Sequence, residues 1–214
     1  MAANETRLLL LGAIALFEPV NGYQIRRELV SWHADRWAHI NPGSIYHGLG
    51  TLARRGLLVR HDLVDHGREV SVYELAPEGR AELERLMQQA LVTVDAYDSI
   101  AFHIAFNLIP VLDRDRVVAA LGERADALDA AILGWPSVVE AKQSMAPPHA
   151  ERALSLWRDQ LVTELAWLRT TVVDIAEGRL RFALDEDWDW SPPPEDPGWQ
   201  LDSDRERYRE LIGR

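Results

Sequence analysis

At 214 residues the chain is long enough for one large domain or two small ones, and a hydrophobic share of 47% suits a globular protein with a buried core. The absence of cysteine excludes disulfides, thiolate metal sites and cysteine nucleophiles together, and suits a cytoplasmic protein. The net charge of −11 argues at first against a nucleic-acid partner, but residues 1–80 carry nine arginines against nine acidic residues and five of the seven histidines, so the whole surplus lies beyond them. An acidic body repels DNA, which assigns any DNA-facing surface to the N-terminal part.

Leu8 to Phe17 is an apolar run containing Ala13-Ile14-Ala15, a pattern that imitates a secretory signal. Glu5 accompanies Arg7 ahead of it, and the run falls well short of the ~20 apolar residues that span a bilayer. It therefore reads as a buried first helix, capped by Thr6 and closed by Pro19 and the turn Asn21-Gly22, with no membrane partner. A second helix is expected from Tyr23 to about Trp32, with Ile25 and Leu29 on one face. Asn41-Pro42 opens a third, since proline at the first helical position is a start signal. In it Ile45, Leu49 and Leu52 recur at i, i+4 and i+7 and turn one stripe inward, and Gly56 ends it. Two strand-like runs follow, Leu57 to Val64 and Glu69 to Leu75, around the turn Asp65-His66-Gly67-Arg68. Three helices and a hairpin in about 75 residues is the order of a winged helix-turn-helix domain.

Pro77-Glu78-Gly79 starts a helix through Leu83, Leu86, Met87, Leu91 and Val94 that continues or restarts toward Leu108, with a break at Pro110. Beyond it, Val118, Leu121, Ala125, Leu128, Ile132 and Trp135 keep a heptad register up to Pro136. After the loop Met145-Ala146-Pro147-Pro148, a long helix shows Leu154, Trp157, Leu161, Leu165, Leu168, Val172 and Ile175, stopping near Gly178. Two such helices joined by a short loop predict an antiparallel hairpin. Its apolar stripe exceeds what one partner covers, so a homodimer is expected, an intrachain core being the alternative. Asp185-Glu186-Asp187-Trp188-Asp189-Trp190 and Pro192-Pro193-Pro194 form an acidic, proline-rich tail, with one short helix from Ser203 to Ile212. The expected fold is mainly α. It comprises a winged helix-turn-helix with a two-stranded wing over 1–80, a connecting helix over 81–110, a helical dimerisation and effector domain over 111–182 built as an antiparallel hairpin, and a tail over 183–214.

Four segments then carry a family pattern: Gly22-Tyr23-Gln24-Ile25, Asn41-Pro42-Gly43-Ser44-Ile45-Tyr46, Leu52-Ala53-Arg54-Arg55-Gly56-Leu57-Leu58 and Val72-Tyr73-Glu74-Leu75-Ala76-Pro77-Glu78-Gly79. Together, in this order and with these gaps, they resemble the PadR family of transcriptional regulators, and the helical hairpin after residue 110 looks like its longer subgroup with a C-terminal dimerisation domain. The resemblance implies a cytoplasmic homodimeric transcription factor, usually a repressor, that reads a pseudopalindromic operator in double-stranded DNA and is often released by a small aromatic or phenolic compound. It implies no enzyme activity and no cofactor.

A recognition helix presents its N-terminal residues to base edges in the major groove. With Ile45, Leu49 and Leu52 inward, Ser44, Tyr46, His47, Thr51 and Arg54 project outward or sideways. Ser44 and Tyr46 are candidate phosphate donors, while His47, Thr51 and the backbone at Gly50 are candidates for close approach to bases. Arg68 in the wing and Arg26 and Arg27 on the second helix are candidates for the flanking backbone. Tyr46 also reads as a partly buried core residue, and Arg26, Arg27 and Arg55 as an ordinary solvated face. Tyr97, Phe102, His103, Phe106 and Trp157 are the candidate effector residues, although aromatics at helical spacing also make ordinary cores. The histidine pairs His33/His39 and His61/His66 lack metal-ligand spacing, and no catalytic motif stands in a recognisable context. The competing reading is a winged-helix interaction or small-molecule-binding module that does not read DNA.

Overall fold

Helix α1 (Ala2–Phe17) lies at the centre of the molecule, because Leu8, Leu9, Leu10 and Leu11 are all buried and a helix apolar on every side must be surrounded. Later elements supply the cover: α4 (Pro42–Arg54), α5 (Pro77–Val92), α6 (Ile100–Asn107) and the strand β3 (Arg68–Leu75) all pack on it. The computed structural model describes residues 2–38, 40–135, 147–182, 193–196 and 198–213. His39, Met145-Ala146, Pro136 and the acidic run Asp185 to Trp190 with Pro192 lie outside the described residues. α1 begins a turn before the expected Thr6 cap, and Thr6 sits half-buried within it.

The chain then makes a two-residue strand, β1 (Val20–Asn21), where the sequence suggested only a turn. Asn21 also caps α2 (Gly22–Ser31). Its side chain accepts from the Gln24 amide at 2.9 Å, and the Gln24 side chain accepts from the Asn21 amide at 3.0 Å, closing a capping box. A single helical turn, α3 (Ala34–Trp37), precedes α4. Pro42 occupies the first turn of α4 and Asn41 caps it, as the sequence predicts, and Gly56 with φ +72° turns the chain out of it. Strands β2 (Leu58–Asp65) and β3 pair antiparallel from Leu58↔Leu75 to Asp65↔Arg68. His66 (φ 49°) and Gly67 (φ 76°) form the two-residue turn, both left-handed as a type I′ turn requires. The sheet order is β1-β3-β2, so the two-stranded wing grows out of a three-stranded antiparallel sheet.

Gly79 in the first turn of α5 is obligatory: a Cβ there would lie 2.0 Å from the Leu57 carbonyl oxygen. The chain leaves the helix after Val92 and restarts as α6, followed by a 3₁₀ turn, Ile109–Val111. Helices α7 (Arg114–Leu133) and α8 (Pro148–Ala176) pack along each other. Arg114 at the start of α7 donates to the Ile175 carbonyl at the end of α8 at 2.8 Å, as an antiparallel hairpin demands. On α8, Leu161, Leu165, Leu168 and Ile175 are buried in the expected register. On α7 the buried face is Val117, Ala120, Leu121, Arg124 and Leu128, rotated from the expected stripe, and Val118, Ala125 and Ile132 are half-buried. The rotation follows from α7 serving two partners, α5 and α8. Trp135 lies past the end of α7, half-buried.

The last helix, α9 (Gly198–Ile212), starts five residues before the Ser203 that the sequence suggested and buries Leu201 and Tyr208. One hydrophobic cluster runs from α1 through the sheet to α7, α8 and α9. No described helix is long and apolar enough to cross a membrane.

Candidate nucleic-acid interface

The outward face of α4 follows from what its inward face buries. Ile45, Leu49 and Leu52 are within 4% of full burial, which leaves His47, Gly50, Thr51 and Arg54 on the opposite side of a 3.6-residue helix. His47 and Arg54 are exposed, and Tyr46 is 49% exposed, so it is not a core residue. Its ring lies over the start of α2, where a Cβ on Gly22 would come within 3.1 Å of it. Ser44 is half-buried and donates to the Asn41 carbonyl at 2.6 Å, tying it to the cap. Thr51 accepts from Arg54 at 2.9 Å, which draws the guanidinium back along the helix while leaving it in solvent.

The two glycines inside α4 differ in use. A Cβ on Gly48 would meet Leu10 at 2.5 Å, so Gly48 lets α1 approach and contributes nothing to the outer face. A Cβ on Gly50 would meet only the tip of Arg54 at 3.7 Å, so that position is open toward a ligand. In the wing, Arg68 and His66 are exposed beside the turn, and on α2 Arg26 is exposed. Arg27 is a weaker candidate than its type suggests, because Glu28 takes its guanidinium at 2.8 and 3.0 Å and neutralises it. Tyr23, 61% exposed at the first turn of α2, joins this surface, and the sequence reading passed over it. Its signal was available, since a large aromatic just after a helix cap with no inward neighbour at i+4 has no core to enter.

His39, one member of the first histidine pair, lies outside the described residues. His61 faces Glu74 across the hairpin at 2.7 Å, and His66 stands 3.8 Å from Asp65. Among the described residues no group of three or more His, Asp or Glu could hold a metal ion.

All five candidate effector residues come together. Tyr97, Phe102, His103, Phe106 and Trp157, joined by Trp167, line a groove of about 920 Å³ between α6 and α8. Tyr97 meets Trp157 edge-on at 4.8 Å, and Phe106 meets Trp167 at 5.0 Å. Trp37 reaches the same groove from the N-terminal part and donates its indole N–H to the Trp32 carbonyl at 2.8 Å. His103 is exposed on α6 rather than enclosed by apolar side chains. The polar group beneath the aromatics is Arg124, which the sequence reading missed. It is 1% exposed, donates to Glu164 and to the Thr93 carbonyl at 2.6 Å each, and stacks 3.8 Å from the Phe102 ring centre.

Residues 10–85 match the model of the Transcriptional regulator PadR-like family. The search of curated proteins finds no match. Among solved structures, Bacillus subtilis PadR in complex with operator DNA matches at 18% identity, over 78% of this chain and 98% of that one, with a TM-score of 0.32. A PadR-like transcriptional regulator from Bacillus cereus matches at 18% identity over 79% and 94%, with a TM-score of 0.33. Bacillus subtilis PadR in complex with p-coumaric acid matches at 17% identity over 79% and 99%, with a TM-score of 0.31. The winged helix built from α1 to β3 holds most of the segment, residues 10–85, that is similar to the Transcriptional regulator PadR-like family.

Proposed function

We propose that the chain is a DNA-binding transcriptional regulator acting as a homodimer, with α4 in the major groove and the wing on the flanking backbone. The observation that carries this reading is the outer face of α4. His47, Thr51 and Arg54 recur along it with Gly50 open between them, while the opposite face is fully buried. Such a face has no structural use inside the chain, and its small and polar residues suit close approach to base edges. Tyr46, Ser44, Arg26 and Arg68 flank it as positioning contacts to phosphates, with Arg27 held in reserve by Glu28.

Dimerisation is supported by the outward side of α8, where Val162, Ala166 and Val173 are exposed at helical spacing with Arg169 between them. A two-fold dimer reads two half-sites, hence a pseudopalindromic operator. The regulator is read as a repressor released by a small aromatic or phenolic compound in the α6–α8 groove, where Tyr97, Phe102, Phe106 and Trp157 supply faces and edges for a flat ring.

The test is binding of the purified protein to DNA from upstream of its own gene, titrated in salt against an unrelated fragment. Specific binding that weakens with salt is expected. Arg54→Ala and Arg68→Ala should each weaken it and lower the slope of log K against log salt by about 1. Binding unchanged in the double variant would remove α4 and the wing from the interface. Absence of any shift at low salt would favour the interaction-module reading.

A further inference from the structure

Helix α9 lies far beyond the family match at residues 10–85, yet it is built onto that domain. Arg207 forms two parallel hydrogen bonds with Asp65 at the end of β2, Nε to Oδ1 and Nη2 to Oδ2, both 2.9 Å. Its Nη2 also reaches Asp204 at 2.6 Å. Asp204 is itself buried and accepts from the Gln24 side chain of α2 at 2.8 Å. Tyr208, 2% exposed, accepts from the Asn21 side chain at 2.8 Å. Arg205 donates to the carbonyls of Glu18 at 2.7 Å and Leu16 at 3.1 Å. One helix thus ties together the exit of α1, the start of α2 and the outer end of the wing.

The wing needs such a tie. β1 pairs with β3 only at Val72 and Tyr73, so from Ser71 outward the hairpin has no third strand beside it. An isolated two-stranded hairpin is marginal in water. Among the described residues, the Arg207–Asp65 pair is the ion pair that joins the outer end of the hairpin to another element. Its hydrogen bonds to Asp65, and then to Asp204, hold the Arg207 guanidinium above its ordinary pKa, so it stays charged.

We propose that α9 is a brace that sets the position of the wing on DNA, with Arg207 as a positioning residue acting through Asp65. The proposal rests on the DNA-binding reading above. It makes a prediction opposite in sign to simple electrostatics. Asp65→Ala removes a negative charge next to Arg68, which by charge alone tightens DNA binding. If the pair positions the wing, the same variant binds more weakly.

The experiment measures operator affinity for the full-length wild type, Asp65→Ala, Arg207→Met (which keeps the aliphatic stem) and the double variant, with amide hydrogen exchange over residues 62–71. Each single variant should lose about tenfold in affinity, a loss of the size expected for one misplaced contact group, with the dimer and helical content unchanged. The double variant should be no weaker than either single one, because both remove one interaction. Exchange over 62–71 should quicken in all three. Asp65→Ala binding as tightly as wild type or tighter, or losses that multiply in the double variant, would overturn the brace. If the wild type binds no DNA, the functional reading fails instead, and unchanged exchange in Arg207→Met would then overturn the brace on its own.

Discussion

Replacing Arg124 by methionine removes a charge that lies at the junction of three elements. Arg124 on α7 holds Glu164 on α8 and the Thr93 carbonyl in the link after α5, and it lies against Phe102 of α6. Hydrogen bonds to charged groups are each worth ~1.5–3 kcal/mol, and a desolvated cation–aromatic contact ~2. A plain sum ignores the cost of burying the guanidinium. Breaking a buried pair by removing one partner costs ~3–5 kcal/mol, mostly for the group left behind. Glu164 keeps 20% of its side chain exposed and can regain water, which places the expected loss near the lower end, ~3 kcal/mol. Urea unfolding at fixed protein concentration reads this directly. With a slope of ~2–3 kcal/mol/M, the midpoint should fall by ~1 M or slightly more. Removing Glu164 as well (Arg124→Met/Glu164→Leu) should cost less than Arg124→Met alone, because no carboxylate is then stranded. A loss below ~1 kcal/mol, or a double variant worse than the single, would refute the reasoning that Arg124 is a buried charge held in place by Glu164.

Two other perturbations follow from local geometry. Gly79→Ala drives a Cβ into the Leu57 carbonyl, a backbone atom that cannot swing aside, and overpacking of this kind costs ~1–3 kcal/mol. For a chain of this size a calorimetric scan should show Tm lowered by roughly 2–12 °C, and an unchanged Tm would mean that α5 is free to slide. Glu82 has its pKa lowered from 4.5 to about 2, chiefly by its hydrogen bonds from Arg85 and then by Arg7. A carboxylate depressed in the folded state stabilises above its unfolded value, and that contribution fades as pH falls from 4.5 toward 2. Glu82→Gln should therefore flatten the acid side of the stability profile, read as urea midpoints at about pH 5 and about pH 3, and leave an equal pH dependence only if Glu82 is unpaired in solution.

The winged helix was legible because its signals are local. Asn41-Pro42 starts α4 where it should, and His66-Gly67 turns the hairpin with the register that places Leu58 opposite Leu75. β1 escaped because two residues leave no alternation to detect, and its strand character comes only from its partner Tyr73 and Val72. The expected stripe on α7 finds Leu121 and Leu128 but leaves out Arg124, a charged residue between them that is buried. A periodicity scan places charge outside by default, and only the partner carboxylate on α8 reverses that. The docking of α9 was illegible for a stronger reason. It depends on polar matches such as Gln24 with Asp204, 180 residues apart, that no window of sequence contains. The aromatic candidates do line one groove, and Tyr97, Phe102 and Phe106 share one short stretch of sequence, whereas the arginine beneath them lies on another helix.

The separation of Asp65 from Arg207 along the chain, 142 residues, also sets an order of events during synthesis. At ~5–20 residues per second the ribosome delivers α9 roughly 7–30 s after the wing. Throughout that interval the α1–β3 unit has emerged with its hairpin tip unbraced and the polar groups of Asn21 and Gln24 that α9 will engage still open to water. A newly made chain therefore passes through a stage in which the α1–β3 unit is complete while the outer end of its hairpin is not yet joined to α9.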